Sequence, residues 1–346
     1  MRTFIAAIAV TASCLSGPLA HAEGELYLYN WSNYFPPELL KKFEQESGIK
    51  VTLDVYDSNE TLLAKLQAGA AGYDVIVPSD YMVGIMIDEG MLEKIDTAQM
   101  ENFAKVMPPH DSTPFDPKRE YSAPYMWGTT GVTYDSARVP GGQLGESWKE
   151  FFEPRDELKG QIAALNDEVE MWNAAAYSLG IDKCTESADD AKAILGVLEQ
   201  QKPHLAMYQS DGTIDRMIAG EVIMHMQWNG ASHRTRAKLE TARYIYPKEG
   251  ISFWNDNFAV PKGAPNVANA KTFINWMMAP ENAAAASNFT GYMNAINGSD
   301  EFLDDSIKAD PAVNMPAEYA DRLRPAKNCS AAARELRDRV WTRLKK

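Results

Sequence analysis

Apolar and polar positions follow two rhythms along this chain, and its first hundred residues show both. Leu26 to Tyr29 is a short apolar and aromatic run of strand type, followed by the turn Asn30-Trp31-Ser32-Asn33-Tyr34 and a restart behind Pro36-Pro37. Proline is favoured at a helix's first position, where its missing N–H would be unpaired anyway. Glu38 to Ser47 then sets Leu39, Leu40 and Phe43 on one helical face, and Gly48 suits the residue just past a helix end. Lys50 to Tyr56 reads as a strand. Ser58-Asn59 caps a helix containing Leu62, Leu63 and Leu66 that ends near 69–72. Tyr73 to Pro78 is a near-continuous apolar run, the pattern of a strand buried on both faces. The resulting β-α-β-α-β order predicts the start of a parallel, doubly wound sheet.

In such sheets ligands bind beyond the carboxyl ends of the strands. The loops at Trp31–Tyr34, Asp57–Asn59 and Ser79–Tyr81 should therefore line one edge. Trp31 and Tyr34, beside Ser32 and Asn33, suit the floor of a small-ligand site; they equally suit a hydrophobic staple at the helix start. Further along, Tyr81 to Glu89 is helical, and 102–121 is a proline-rich connection without a strong period. Tyr121 to Tyr134 returns to strand character and is a candidate crossing into a second lobe. Trp148–Phe152 is a short helix, Gln161–Leu165 a strand, and Asp167 opens a helix to Leu179. Ala188–Gln200 is an amphipathic helix, Gly220–Gln227 a strand ending in Trp228-Asn229-Gly230, and Arg243–Tyr246 a strand. Phe253 to Pro261 is a return crossing, and helices follow at 266–278, 280–288 and 331–344.

The amino terminus changes the picture most. Arg2, an apolar run from Phe4 to Val10 and small residues ending in Ala20-His21-Ala22 form an export leader cleaved before Glu23. Cys14 lacks the leucine three residues upstream that a lipid-anchored precursor would want, and no later stretch has the uninterrupted apolar length of a membrane span. The chain holds 34 Lys+Arg against 48 Asp+Glu, net −14; losing the leader removes only Arg2. A nucleic-acid reader would show a basic face, so no nucleic-acid partner is expected. An acidic surface suits a cationic ligand and also serves solubility. Cys184 and Cys329 remain after processing, and either form one disulfide in an oxidising compartment or stay as two small free residues.

Enzyme signatures are sparse. The four histidines that survive processing, His110, His204, His225 and His233, show no metal-ligand spacing. The chain has no phosphate-cradling loop, dinucleotide fingerprint or nucleophile elbow. His225, within an apolar strand, reads as a satisfied core residue. Asp167 and Glu170 face the same way at a helix start, either as a carboxylate pair or as an N-terminal capping arrangement. A glycosidase would want such a pair set across a cleft rather than on adjacent turns. Of eight tryptophans, Trp31, Trp228 and Trp254 stand at strand ends beside polar or acidic residues, and Trp254 is followed by Asn255-Asp256. Tryptophan faces attract ammonium groups, and buried carboxylates bind them through charge-assisted hydrogen bonds. Tryptophan walls with carboxylate ends suit a diamine or triamine; a sugar-stacking site would add amide and hydroxyl donors.

LYLYNWSNYFPPELL, KVTLDVYDSNETLLAKL, YDVIVPSDY, YSAPYMWG, MQWNG, YPKEGISFWNDNFAVP and GYMNAIN occur in that order across nearly the whole processed chain. In these motifs the chain resembles the periplasmic spermidine/putrescine-binding proteins of ABC importers. The resemblance implies an α/β, type II periplasmic binding protein fold. Its two lobes would be residues 23–132 with 256–300, and 133–255 with 301–346, behind a leader at 1–22. It implies a box formed by Trp31, Ser32, Tyr34, Ser79, Tyr81, Trp228, Trp254 and Tyr292, with Asp167, Glu170 and Asp256 taking the ammonium groups. The expected ligand is a small polyamine, the partner an inner-membrane ABC permease, the location periplasmic, the state monomeric, and neither cofactor nor catalysis is expected. Another cationic or zwitterionic metabolite, for uptake or sensing, is the alternative. Lys327 stands where the family offers a glutamine to the ligand, Asn33 where some members carry an acid, and Asp80 where others have a small or hydroxyl residue. A lysine facing an amine repels it unless it points to solvent or pairs with an acid. Its presence favours a short amine such as putrescine.

Overall fold

The computed structural model describes residues 24–69 and 72–346; the expected leader lies outside them. Among the described residues eleven strands join in one mixed sheet: β1 (Gly24–Trp31), β2 (Ile49–Tyr56), β3 (Val75–Ile76), β4 (Ser122–Asp135), β5 (Ile162–Ala164), β6 (Met207–Tyr208), β7 (Met224–Trp228), β8 (Ala242–Ile245), β9 (Ile251–Ala259), β10 (Met293–Asn294) and β11 (Leu323–Pro325). The main path runs β2-β1-β3-β9-β4-β7-β5-β6. Its two ends are parallel, β2-β1-β3 and β7-β5-β6, as crossover helices require. The middle pair, β4 and β9, is antiparallel to each other and to both ends.

That middle pair is where the chain passes between two cores. One core gathers Phe151, Ile162, Trp172, Leu198 and Met224 and is sealed by Val340 and Leu344 of the last helix, Ala331–Lys345. The other gathers Leu26, Leu28, Phe43, Val75 and Phe273. β4 contributes Tyr125 and Met126 to the second core and Val132 and Tyr134 to the first, and Trp228 packs against both. The apolar runs at 121–134 and 253–261 thus do form the crossing strands.

Several starts and stops follow the expected chemistry. Pro37 opens the helix Pro37–Ser47, and Gly48 closes it at φ 76°. Ser58 accepts a hydrogen bond from the Thr61 N–H to cap Asn59–Gln67. Where sequence and structure differ, local side-chain bonding explains it. Within the run Tyr73–Pro78 regular strand is confined to Val75–Ile76: before it the Asp74 carboxylate accepts the Tyr27 and Asn266 N–H groups, and after it the Val77 carbonyl accepts from Trp31 Nε1 and Tyr56 Oη. The connection 102–121 is anchored by Arg119, fully buried, which donates to the His110 carbonyl, Ser122 and Asn257. The helix Asn229–Arg236 starts directly at the end of β7 and lacks an apolar stripe, so no period announces it.

Cys184 and Cys329 are joined in a disulfide with Cα atoms 5.1 Å apart and 145 residues between them. It ties the segment after helix Glu168–Leu179 to the strap that follows β11. Closing so long a loop restricts the unfolded chain strongly, by up to ~4–5 kcal/mol. The Cys184→Ser, Cys329→Ser double variant should therefore melt well below the wild type, and reductant should lower the wild-type melting temperature toward it. Equal melting temperatures would show that this tie adds no stability.

Candidate functional site

A cavity of about 380 Å³ opens between the two cores. Its first wall comes from the loops after β1, β2 and β3, which meet as the sheet topology requires: Trp31, Ser32 and Tyr34; Tyr56, Asp57 and Asn59; and Ser79 to Tyr81. Asp256 on β9 belongs to the same wall, bonded to Ser79 and Tyr34, and Tyr292 stands against Tyr34. Asp167 and Glu170 enter from the other core at the start of helix Glu168–Leu179, and Trp228 and Trp254 complete the lining. Eleven of the twelve residues expected at the site therefore line one cavity.

Lys327 does not join them. It is more than half exposed and its Nζ lies 2.8 Å from Asp182 Oδ2. The chain reaches the cavity instead through Arg324 and Ala326. Because β11 pairs with β9 only as far as Pro325, the strap then turns outward. Lys327 has taken the outcome in which it pairs with an acid.

Asp256 is the best-held group. Its two carboxylate oxygens accept from Ser79 Oγ at 2.6 Å and Tyr34 Oη at 2.8 Å. Ser79 is fixed in turn by Asn59, whose amide donates to its Oγ and accepts its N–H. Tyr34 is thereby committed to Asp256 rather than to the helix start, and its neighbour Phe35 packs on Phe273. Even so, burial outweighs these hydrogen bonds and pushes the Asp256 carboxyl up to about 7. On the other side, Asp167 caps its helix by accepting the Glu170 N–H at 3.0 Å while also lining the cavity, so both readings of this residue hold together. Glu170 Oε1 accepts from Thr130 Oγ1 at 2.7 Å, and Oε2 is buried without a partner. Burial raises both carboxyls, and for Asp167 the neighbouring Glu170 adds to the rise.

The aromatic walls are built edge to face. Tyr292 stands T-shaped to Trp254 at 5.2 Å and to Tyr34 at 5.5 Å, and Trp31 Nε1 donates to the Val77 carbonyl. Fixing the edges leaves ring faces for a ligand. Gly230 permits this: a Cβ there would sit 2.5 Å from the Tyr292 ring.

The sequence reading missed several lining groups. Asp80, which burial raises to about 6, was noted as a departure and not as a site residue. Asp211 and Asp215 flank the start of the short helix Thr213–Ile218, and Lys183, Arg234 and Arg324 are cations in the same wall. Asp80 lies within the Ser79–Tyr81 stretch expected at the edge, whereas the other five come from loops or short elements with no period to flag them. Glu60, beneath Tyr81 and bonded to its hydroxyl at 3.1 Å, is likewise raised by burial and by Asp167. His225 is the satisfied core residue expected: Nε2 accepts from Arg216, Nδ1 faces the Met226 carbonyl, and burial depresses it to about 3.

Residues 38–317 match the family described as bacterial extracellular solute-binding protein. Among curated relatives, the spermidine/putrescine-binding periplasmic protein of Escherichia coli K12 is 34% identical over 314 residues, 90% of this chain and 89% of the relative. The putrescine-binding periplasmic protein SpuD of Pseudomonas aeruginosa UCBPP-PA14 is 31% identical over 336 residues, 92% and 91% of the two chains. A solved structure described as a putative spermidine/putrescine ABC transporter from Listeria monocytogenes superposes with a TM-score of 0.87 at 30% identity, covering 93% of this chain and 98% of that one.

The raised carboxyls fix a pH dependence for the empty protein. Asp256 holds its proton up to about 7 when folded but only to ~3.9 when unfolded. Between these limits the folded form binds more protons, so stability falls as pH rises through the window. Thermal melts from pH 4 to 8 should show that fall, with a shallower slope in Asp256→Asn. Identical slopes would mean Asp256 ionises in the fold as readily as outside it.

Proposed function

The chain belongs to the bacterial extracellular solute-binding protein family and has its type II fold; from that premise we propose that it captures a polyamine, putrescine or spermidine, in the periplasm and delivers it to an inner-membrane ABC permease, catalysing no reaction. The lobes that close on the ligand are 23–132 with 256–300, and 133–255 with 301–346. The two separate cores joined through β4 and β9 support this division.

One observation carries the reading. Asp256, Asp167 and Glu170 are buried between tryptophan and tyrosine rings, and one oxygen of Glu170 has no partner. A buried carboxylate without a cation is unfavourable by several kcal/mol. Burial accordingly holds these groups toward their protonated forms. An alkyl chain with an ammonium at each end answers both features: its methylenes lie on ring faces and its charges replace the protons. Asp256, with Tyr34 and Ser79, holds one ammonium; Asp167 and Glu170 hold the other. A neutral sugar would leave these carboxyls uncompensated.

Two outcomes follow. Calorimetry should give heat with putrescine or spermidine and none with neutral sugars, and Asp256→Asn should weaken amine binding by ~2 kcal/mol, roughly 30-fold. Binding confined to another ligand class would sink the proposal. An ammonium lowers the Asp256 carboxyl from about 7, so binding below that pH releases protons. Affinity should rise as pH climbs toward about 7 and level off above it, and the observed heat should vary with the buffer's ionisation enthalpy. A pH-independent affinity with no buffer effect would contradict the proton exchange.

A further inference from the structure

The cleft that this reading requires to be acidic has cations in its own wall: Lys183, Arg234 and Arg324. Among the described residues none of the three has a carboxylate at ion-pair distance. The Arg234 guanidinium lies over the Phe289 ring and against Asn33, and Arg324 Nη1 donates to the carbonyls of Asp321 and Leu323. Lys183 Nζ likewise donates to a carbonyl, that of Pro325, at 2.6 Å; the acids around it set it apart. A carbonyl leaves most of an ammonium's charge uncompensated, and the acids whose field acts on that charge include Asp80 and Glu170, both in the cavity wall. Glu170 is the residue whose second oxygen is buried and unpartnered.

The position is also fixed. Cys184, the next residue, is bonded to Cys329, and the stretch leading to Cys329 carries both the Pro325 carbonyl that holds Nζ, at the end of β11, and the cavity-lining Ala326. Burial pulls the Lys183 ammonium down to about 8, with Asp80 and Glu170 opposing that fall, so it carries charge at neutral pH. Lys327, two residues from the disulfide partner of Cys184 on the same strap's outer side, is engaged with Asp182 and has no such access.

We infer that Lys183 is the specificity-determining residue of this cleft: its ammonium is a resident cation at the Glu170 end, so the site accepts a diamine and discriminates against a third ammonium. The inference rests on the polyamine reading and sharpens it. A diamine spans from Asp256 to Asp167 and Glu170 and leaves Lys183 undisturbed. A triamine brings one more positive charge to the end where Lys183 stands, and like charges a few ångströms apart at an effective dielectric near ~20 lower affinity on the order of tenfold or more.

The test is calorimetry of the wild type, Lys183→Gln and Lys183→Arg with putrescine, spermidine and 4-aminobutyrate, each variant first checked by thermal melting. The wild type should prefer putrescine. Lys183→Gln should raise the spermidine-to-putrescine affinity ratio about tenfold or more, while Lys183→Arg, which keeps the charge, should hold the ratio within about twofold of wild type. Merely structural damage would weaken both amines alike and leave the ratio unmoved. Wild-type preference for spermidine overturns the inference without any variant, as does an unchanged ratio in a folded Lys183→Gln. Tighter wild-type binding of 4-aminobutyrate than of putrescine, lost in Lys183→Gln, overturns it by making Lys183 the partner of a carboxylate. Absence of binding to any polyamine overturns the parent reading and this one together.

Discussion

Burying acids without cations is the constraint on which this molecule's cleft depends. A carboxylate removed from water is tolerated only if hydrogen bonds, a counter-charge or a proton compensates it. Here the fold supplies hydrogen bonds to Asp256 from Ser79 and Tyr34, and to Glu170 from Thr130, and burial still drives both carboxyls up. The shortfall is a standing preference for positive charge. Much of the surrounding structure can be read as keeping that shortfall in place. Asn59 fixes Ser79, the edge-to-face rings fix Tyr34, and a helix start holds Asp167 beside Glu170.

The same constraint makes a cation within the wall consequential. Lys183 lies where its charge reaches Asp80 and Glu170, while among the described residues its Nζ is bonded only to a carbonyl, and the next residue is tied to Cys329. An acidic cleft with one fixed internal ammonium has a smaller appetite for charge than a count of its acids implies. The net charge of the chain, −14, says nothing about this balance, because screening and distance separate the surface from the cleft.

Much of the fold was legible because it rests on local rules. Pro37, Gly48 and Ser58 marked helix ends through chemistry that acts within one turn. The run 121–134 announced a strand buried along nearly its whole length. The site was legible to the extent that it sits on those elements: strand-end loops carry Trp31, Tyr34, Ser79 and Tyr81, and the crossing strand carries Trp254 and Asp256. What escaped notice depends on contacts between distant segments. Lys183 and Pro325 are 142 residues apart, and only the disulfide open to Cys184 and Cys329 hinted that their neighbourhoods meet. Lys327 was singled out by its match to the family's glutamine position, and the register of a short strand's end, which decides where it points, cannot be read from sequence. β11 pairs at only three positions before the strap turns, and a shift of one residue exchanges the inward Ala326 for the outward Lys327. The helix Asn229–Arg236 escaped for another reason: it is held by β7 and β8 rather than by an apolar stripe of its own.

The crossing strands join the two halves of this charge balance. Asp256 lies on β9 and is bonded to groups from the β1 and β3 loops, all on the side of one core. Glu170 belongs to a helix of the other core, yet its hydrogen-bond donor, Thr130, is on β4, whose partners in the sheet include both β9 and β7. The two acidic poles are thus anchored to opposite cores and linked through one antiparallel strand pair. A ligand charged at both ends is attracted to both poles at once only when the lobes stand close enough for its length. A ligand charged at one end satisfies one pole and leaves the other held by its proton. In the function proposed, charge at both ends, rather than bulk, is therefore the property that would couple binding to closure. Differential stabilisation of the closed state is all that a ligand needs to shift such an equilibrium.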